Sequence, residues 1–384
     1  MLRAGNHITL LQNGAEYFPA LLDAIETAQQ EIFLESYLYA ADRTGLAMAA
    51  ALERAALRGV RVHVVLDGFG ARHFDTGIRT RWRTAGVHLI LFRPVRWNTP
   101  WRRPRLRRMH RKQVVIDAQV AFIGGINIID DSNAPGHPDH RYDYAVRIEG
   151  PLLADIYPAA LRLWRLLRWN ELRQRPPYTP SLPLNMAPKG EQLAQYLLRD
   201  NLQHRRDIED AYLAAIRTAR REIIIANAYF LPGHALRQAL IHAAERGVRV
   251  VLLMEGRPEY RIVHLATHAL YREFLDHGIE IREYHASFMH AKVAVVDGRW
   301  ATIGSSNIDP FSLWLSREAN IAVWDETFVR ELHDSLCATI ARGSHAIYRM
   351  RWRRIGWPRR LASRLAYGLL RSLAGIVGLP WTKR

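Results

Sequence analysis

Apolar residues recur along this chain in two alternating rhythms. Over about residues 17–30, and again over about 208–221, they return every three or four positions. That spacing predicts an amphipathic helix with one buried stripe. A short and nearly unbroken apolar stretch follows each, Ile32–Tyr39 and Ile223–Phe230, as expected of a strand covered on both faces. Next comes an alanine-rich helical stretch ending at Arg58-Gly59 or Arg246-Gly247, where glycine suits the left-handed residue just past a helix. Val60–Asp67 and Val248–Glu255 predict a second strand. Helices and apolar strands alternate, so the fold class is α/β and layered. A helix near 152–173 and the proline-rich stretch Pro176–Pro183 separate the two series.

The two series are copies of one plan. Ala24–Ile32 resembles Ala215–Ile223 at an offset of 191, Arg58–Val62 recurs as Arg246–Val250 at 188, and Met109-His110 as Met289-His290 at 180. Order is kept while the offset drifts, as changes in loop length would produce. We therefore divide the chain into a first half (1–150), a helix and linker (151–190), a second half (191–345) and a C-terminal segment (346–384).

Each half carries one motif, H-x-K-x4-D-x6-G-x-x-N: His110, Lys112, Asp117, Gly124 and Asn127, then His290, Lys292, Asp297, Gly304 and Asn307. Residues two apart on a strand share a face, so each histidine sits beside its lysine. Asp297-Gly298 is a turn signal. The strand that returns from the turn carries Gly-x-x-Asn back toward the histidine. One His-x-Lys pair is ordinarily a surface feature, but two at equivalent places in two repeats point to a single shared site. Of 54 basic residues only four are lysine, and two of those stand two positions after the motif histidines. Lysine is a compact point charge where arginine is a planar fork, which suits a tight pocket around one phosphate.

Hydrophobic residues make up 49% of the 384 and charged residues 24%, the balance of a folded globular protein. The single cysteine, Cys337, excludes an internal disulfide framework and a cysteine metal cage. The formal charge of +17 suggests an anionic partner, nucleic acid or an acidic lipid surface, against the plainer reading of a compositional bias toward arginine. No window is long and apolar enough to span a bilayer and no signal peptide is legible, so we expect synthesis in the cytosol and a peripheral place on the inner face of the cell membrane. Residues 349–384 mix arginines with Trp352, Trp357 and several leucines, the make-up of a helix that lies on an anionic membrane. The loop before His110, with Trp97, Trp101 and five arginines, has the same character. Either segment also suits single-stranded nucleic acid, and the C-terminal one also a helix packed on the core.

The motif pair resembles the HKD motifs of the phospholipase D superfamily. Met109–Asp117 with Ala121–Asn127, Ile224–Pro232 and Trp300–Asn307 resemble bacterial cardiolipin synthases, most of all the B type, and the likeness runs over roughly residues 5–340. It departs at Gly125, where the superfamily pattern often has serine, and at Ser316, where many members carry asparagine. The resemblance implies two homologous α-β-α sandwich halves of phospholipase D type with a shared active site at their interface. It implies a phosphatidyl transfer through a phosphohistidine, from phosphatidylglycerol to an alcohol of a second phospholipid, with release of glycerol. Catalytic residues would be His110, Lys112, Asp117, His290, Lys292 and Asp297, and substrate-binding residues Asn127, Asn307 and Ser305, with no cofactor and no metal. We assign attack to His110 and acid–base work to His290. Two ammoniums and two amides would offset phosphate charge. Asp117 and Asp297 lie at turns, where a structural role competes. Asp143 and Glu318 are candidates to orient a histidine, and Glu35 and Asn227 to line the site. A nuclease or phospholipid hydrolase is the alternative, and a non-catalytic binding protein a third reading. A lipid surface is favoured over nucleic acid, and no obligate protein partner is evident.

Overall fold

The computed structural model describes residues 1–94, 107–133, 140–172, 181–200, 203–257, 259–353 and 356–376. Most of the aromatic, arginine-rich loop before His110 and of the proline-rich linker lies outside them.

The first half runs β1 (Leu2–Gln12), α1 (Asn13–Thr27), β2 (Glu31–Ser36), α2 (Arg43–Leu57), β3 (Arg61–Asp67), α3 (Thr76–Ala85), β4 (His88–Phe92), β5 (Gln113–Ile116), β6 (Val120–Gly124), β7 (Arg141–Tyr142) and β8 (Tyr144–Glu149). Helix α4 (Leu153–Leu172) leads on to β9 (Gln192–Arg199), α5 (Asp207–Thr218), β10 (Glu222–Asn227), α6 (His234–Glu245), β11 (Arg249–Glu255), α7 (Arg261–Asp276) and β12 (Glu280–Tyr284). Then come β13 (Phe288–Met289), β14 (Lys292–Val296), β15 (Trp300–Gly304), α8 (Pro310–Trp314), β16 (Glu318–Trp324), α9 (Glu326–Gly343), β17 (Ser344–Ile347), α10 (Arg349–Arg353) and α11 (Trp357–Ile376).

Local chemistry sets the helix ends. The Asp42, Asp75 and Asp325 carboxylates cap α2, α3 and α9 by accepting from Gly45, Ile78 and Phe328 N–H, which satisfies donors that a helix start leaves open. Gly59 and Gly247 follow α2 and α6 with φ of 94° and 86°, as the Arg-Gly pairs predicted.

Fifteen strands form one sheet in the order β17-β12-β11-β10-β14-β15-β16-β9-β1-β8-β6-β5-β2-β3-β4. Read outward from the middle, the two halves follow the same order, and they are joined where β1 pairs antiparallel with β9. In each half three parallel strands (β2-β3-β4, β10-β11-β12) adjoin the antiparallel motif hairpin (β5-β6, β14-β15). Helices α1–α3 cover the outer face of one half, and α5–α7 with α11 that of the other. The inner faces share a single core with α4 and α9, in which Val115, Ile123 and Val146 lie with Val293, Ile303 and Ile321. The two motif hairpins thus meet across the middle of the molecule.

Candidate active site

Each motif histidine stands just before a hairpin, His110 ahead of β5 and His290 ahead of β14. The backbone there is fastened to the opposite half. His110 N–H donates to the Arg317 carbonyl at 2.9 Å and Arg317 N–H to the Arg108 carbonyl at 2.8 Å. In mirror fashion, His290 N–H donates to the Tyr142 carbonyl at 2.8 Å, where β13 and β7 form a small parallel ladder. One residue earlier, Met109 N–H donates to Asp67 at 2.8 Å and Met289 N–H to Glu255 at 2.5 Å. Asp67 and Glu255 end equivalent strands, so each anchors the approach to its histidine.

The side chains repeat this exchange. His110 Nδ1 lies 3.0 Å from Glu318, and His290 Nδ1 lies 2.6 Å from Asp143. Each histidine is braced by a carboxylate from the other half. With Nδ1 engaged, Nε2 is the nitrogen left for chemistry, and the two rings are only 15% and 13% exposed. Lys112 Nζ donates to the His110 carbonyl at 2.8 Å and Lys292 Nζ to the His290 carbonyl. Lys292 Nζ also lies 3.8 Å from Asp143.

Burial dominates the electrostatics. It lowers Lys112 to about 7, against the pull of Glu318, and Lys292 to about 8, against Asp143 and Glu318. It raises the Asp143 carboxyl to about 6, with Lys292 opposing. Both imidazoles are pushed down by burial, His290 furthest. The causes are those expected where charge leaves water, and groups shifted toward neutrality are suited to proton transfer.

Asp117 and Asp297 are not brought to the histidines. They lie at the far ends of the hairpin strands, roughly 20 Å along the chain from them. The Asp117 carboxylate accepts from Gln29, Gln30 and Glu31 N–H, and Asp297 from Arg220, Arg221 and Glu222 N–H. Both adopt φ above 50°. These residues tie each hairpin turn to the start of the neighbouring strand.

Asn127 lines a small cavity with Asp143, Arg141 and His290. Its Oδ1 accepts from Leu38 N–H at 3.0 Å. Asn307 is buried at the equivalent turn. The Ser305 hydroxyl donates to Glu318 at 2.6 Å and accepts from Ala319 N–H at 3.0 Å, so it holds the carboxylate that braces His110. This explains the glycine at 125: a Cβ there would overlap the Asp143 carboxylate, which fills that space itself. Glu35 lies 2.8 Å from buried Arg111, while Asn227 Oδ1 accepts from Ile308 N–H.

Sequence reasoning missed four neighbours. Tyr37 packs edge-on against His110 at 4.8 Å between ring centres, with Lys112 Nζ 5.4 Å from its own. Arg141 lines the Asn127 cavity, two residues before Asp143. Asp67 and Glu255 were read as strand ends and nothing more, although their matched positions in the two repeats were the available signal. The sequence showed no metal-ligand cluster, yet among the described residues His264, His268 and Glu283 place one ligand atom each within 4.8 Å of one another. The two histidines sit one turn apart on α7 and the glutamate on β12. Burial, with His268 second, pushes His264 down to about 4.

Comparison with known proteins agrees with this geometry. The family model described as "Cardiolipin synthase, PLD-like domain" matches residues 21–164 and 212–338. The chain is 39% identical over 394 residues to cardiolipin synthase B of Escherichia coli K12, covering 98% of this chain and 90% of that one. It is 34% identical to a cardiolipin synthase of Geobacillus thermodenitrificans over 81% of this chain and 61% of the relative. Among solved structures, phosphatidylserine synthase of Haemophilus influenzae superposes with a TM-score of 0.66 at 15% identity, covering 96% and 93% of the two chains. Polyphosphate kinase of Porphyromonas gingivalis gives 0.59 at 16% identity, covering 97% of this chain and 53% of that one. At such identities the likeness is one of fold.

Proposed function

We infer the activity from one premise: the chain belongs to the cardiolipin synthase family of phospholipase D-like domains. It is a phosphatidyltransferase that makes cardiolipin. We assign phosphatidylglycerol as donor and an alcohol of a second phospholipid as acceptor, with glycerol released. The observation that carries the mechanism is the meeting of two half-buried histidines, each braced through Nδ1 by the other half's carboxylate.

His110 Nε2 attacks phosphorus, and the bond to the glycerol oxygen breaks as that oxygen takes a proton from His290 Nε2. The acceptor hydroxyl then gives its proton to His290 while its oxygen displaces His110 from phosphorus. Lys112, Lys292 and the amides of Asn127 and Asn307 offset charge on the phosphate oxygens. The two pairs are built alike, so the division of labour is read from which histidine carries the phosphoryl group.

Among the described residues no helix is long and apolar enough to cross a membrane. We place the enzyme peripherally on the inner face of the cell membrane, held by anionic phospholipid.

The test is turnover of phosphatidylglycerol vesicles, with and without phosphatidylethanolamine, beside single-stranded DNA. Cardiolipin should form, and should vanish in His110→Ala and His290→Ala. Cleavage of DNA without lipid product would sink the reading. Release of phosphatidic acid in place of cardiolipin would make the chain a hydrolase. Acid-quenched phosphoenzyme should map to His110, and label on His290 reverses the two roles.

A further inference from the structure

Helix α11 packs against α7 and completes the outer layer of the second half. Ser363, Ala366 and Leu370 form its buried face. Trp357, Leu361, Leu365, Leu369 and Leu373 recur every fourth residue on the opposite side, and Trp357 and Leu365 are 74% and 64% exposed. Such a ridge on a helix that already has a packed face is in excess of what the fold needs.

Between α7, α10 and α11 lies a cavity of about 320 Å³. Its walls carry Arg272, Arg359, Arg360 and Arg364, with Trp352, Ser363 and His268. His268 is buried, and its Nδ1 has no hydrogen-bond partner among the described residues. Arg272 pairs with Asp276 at 3.5 Å, His268 Nε2 lies 3.3 Å from Glu283, and no carboxylate is among the described residues that line the cavity. Guanidinium groups gathered around one space raise its positive potential, which favours an anion among them. Their planar forks match phosphate oxygens two at a time. No residue of the paired-histidine site lines this cavity. On α11, Arg360 and Arg364 lie on the flank between the buried face and the ridge, so the cavity and the ridge occupy one side of the molecule.

We propose that this cavity is a second phosphate site, apart from the chemistry, which holds the headgroup of an anionic phospholipid while the α11 ridge lies in the bilayer's headgroup layer. The proposal rests on the membrane-surface reading above for its source of phosphate. The ridge decides between sources: a soluble phosphate would need no exposed tryptophan and leucines beside it, whereas an interfacial helix needs both apolar ridge and basic flank.

The full-length protein is floated with phosphatidylcholine vesicles with and without phosphatidylglycerol. Binding should require phosphatidylglycerol, and Arg359→Gln with Arg364→Gln should weaken it roughly thirtyfold, as two lost basic contacts predict. Arg359→Lys with Arg364→Lys keeps the charge and loses the forks, so it should weaken binding severalfold. Wild-type binding by the lysine variant would overturn the built site in favour of plain surface charge. Stabilisation by inorganic phosphate that needs these arginines, with vesicle binding unchanged in the glutamine variant, would make it a site for a soluble anion and overturn the lipid. Leu365→Asp should also lower vesicle binding, and unaltered binding would remove the ridge from the account. Turnover of dispersed short-chain phosphatidylglycerol is measured in parallel. It should survive in all three variants, and its absence in the wild type would count against the activity and not against this site.

Discussion

At the scale of single residues, the site is a set of charges held out of water. Lys112 and Lys292 act as ammoniums, and their burial brings deprotonation down to about 7 and about 8. The cation is the form that offsets phosphate charge, so kcat/KM should fall as pH rises through 7 to 8. A bound phosphate resists that deprotonation, so the alkaline fall of kcat should lie at higher pH, which a pair of pH profiles checks. Asp143 offers a second prediction. Its carboxyl is about 6 folded against 3.8 unprotected, so the folded state binds more protons between those values. Its burial therefore costs stability above pH 6, and the cost fades as pH falls toward 4. Asp143→Asn should lose about 10²- to 10⁴-fold in kcat. In urea melts it should gain about 1 kcal/mol at pH 8 and lose that advantage near pH 4.5. The motif histidines and lysines were legible because they recur in register. Arg141 and Tyr37 were not, since nothing about an isolated arginine or tyrosine marks what it faces once folded.

At the scale of elements, the motif hairpin is the working part. Its strand places the histidine at one end and the aspartate at the other, and the aspartate clamps three consecutive backbone N–H groups of the preceding helix–strand junction. Asp117→Ala or Asp297→Ala should each cost about 2–3 kcal/mol of stability, from several lost charge-assisted hydrogen bonds and a left-handed backbone without its preferred residue. Thermal melts should show the loss, while turnover per folded molecule stays within about twofold of wild type. A collapse of turnover in a folded variant would return these residues to the chemistry. The hairpins, the strands beside them and the Arg-Gly helix ends could be read from apolar period and turn residues. The short ladder between β7 and β13 could not, because two residues carry no periodicity.

At the scale of the whole molecule, the repeat announced two halves but not how they meet. The joint of β1 with β9, and the core shared by the two inner faces, depend on contacts about half the chain apart. It follows that residues 1–172 or 181–384 produced alone should be inactive and should associate through exposed apolar surface. Co-expression of the two pieces should restore cardiolipin formation in a complex that elutes at the size of the intact chain. Activity from either piece by itself would refute the shared site. The exchanged carboxylates also carry a consequence for descent. A lone ancestral copy holds a histidine and a carboxylate, but its carboxylate reaches only a histidine in another copy. Two such copies complete each other only around a twofold axis. A single copy would thus have a complete site only as a symmetric pair, and a change to one half's acid is felt at the other half's base.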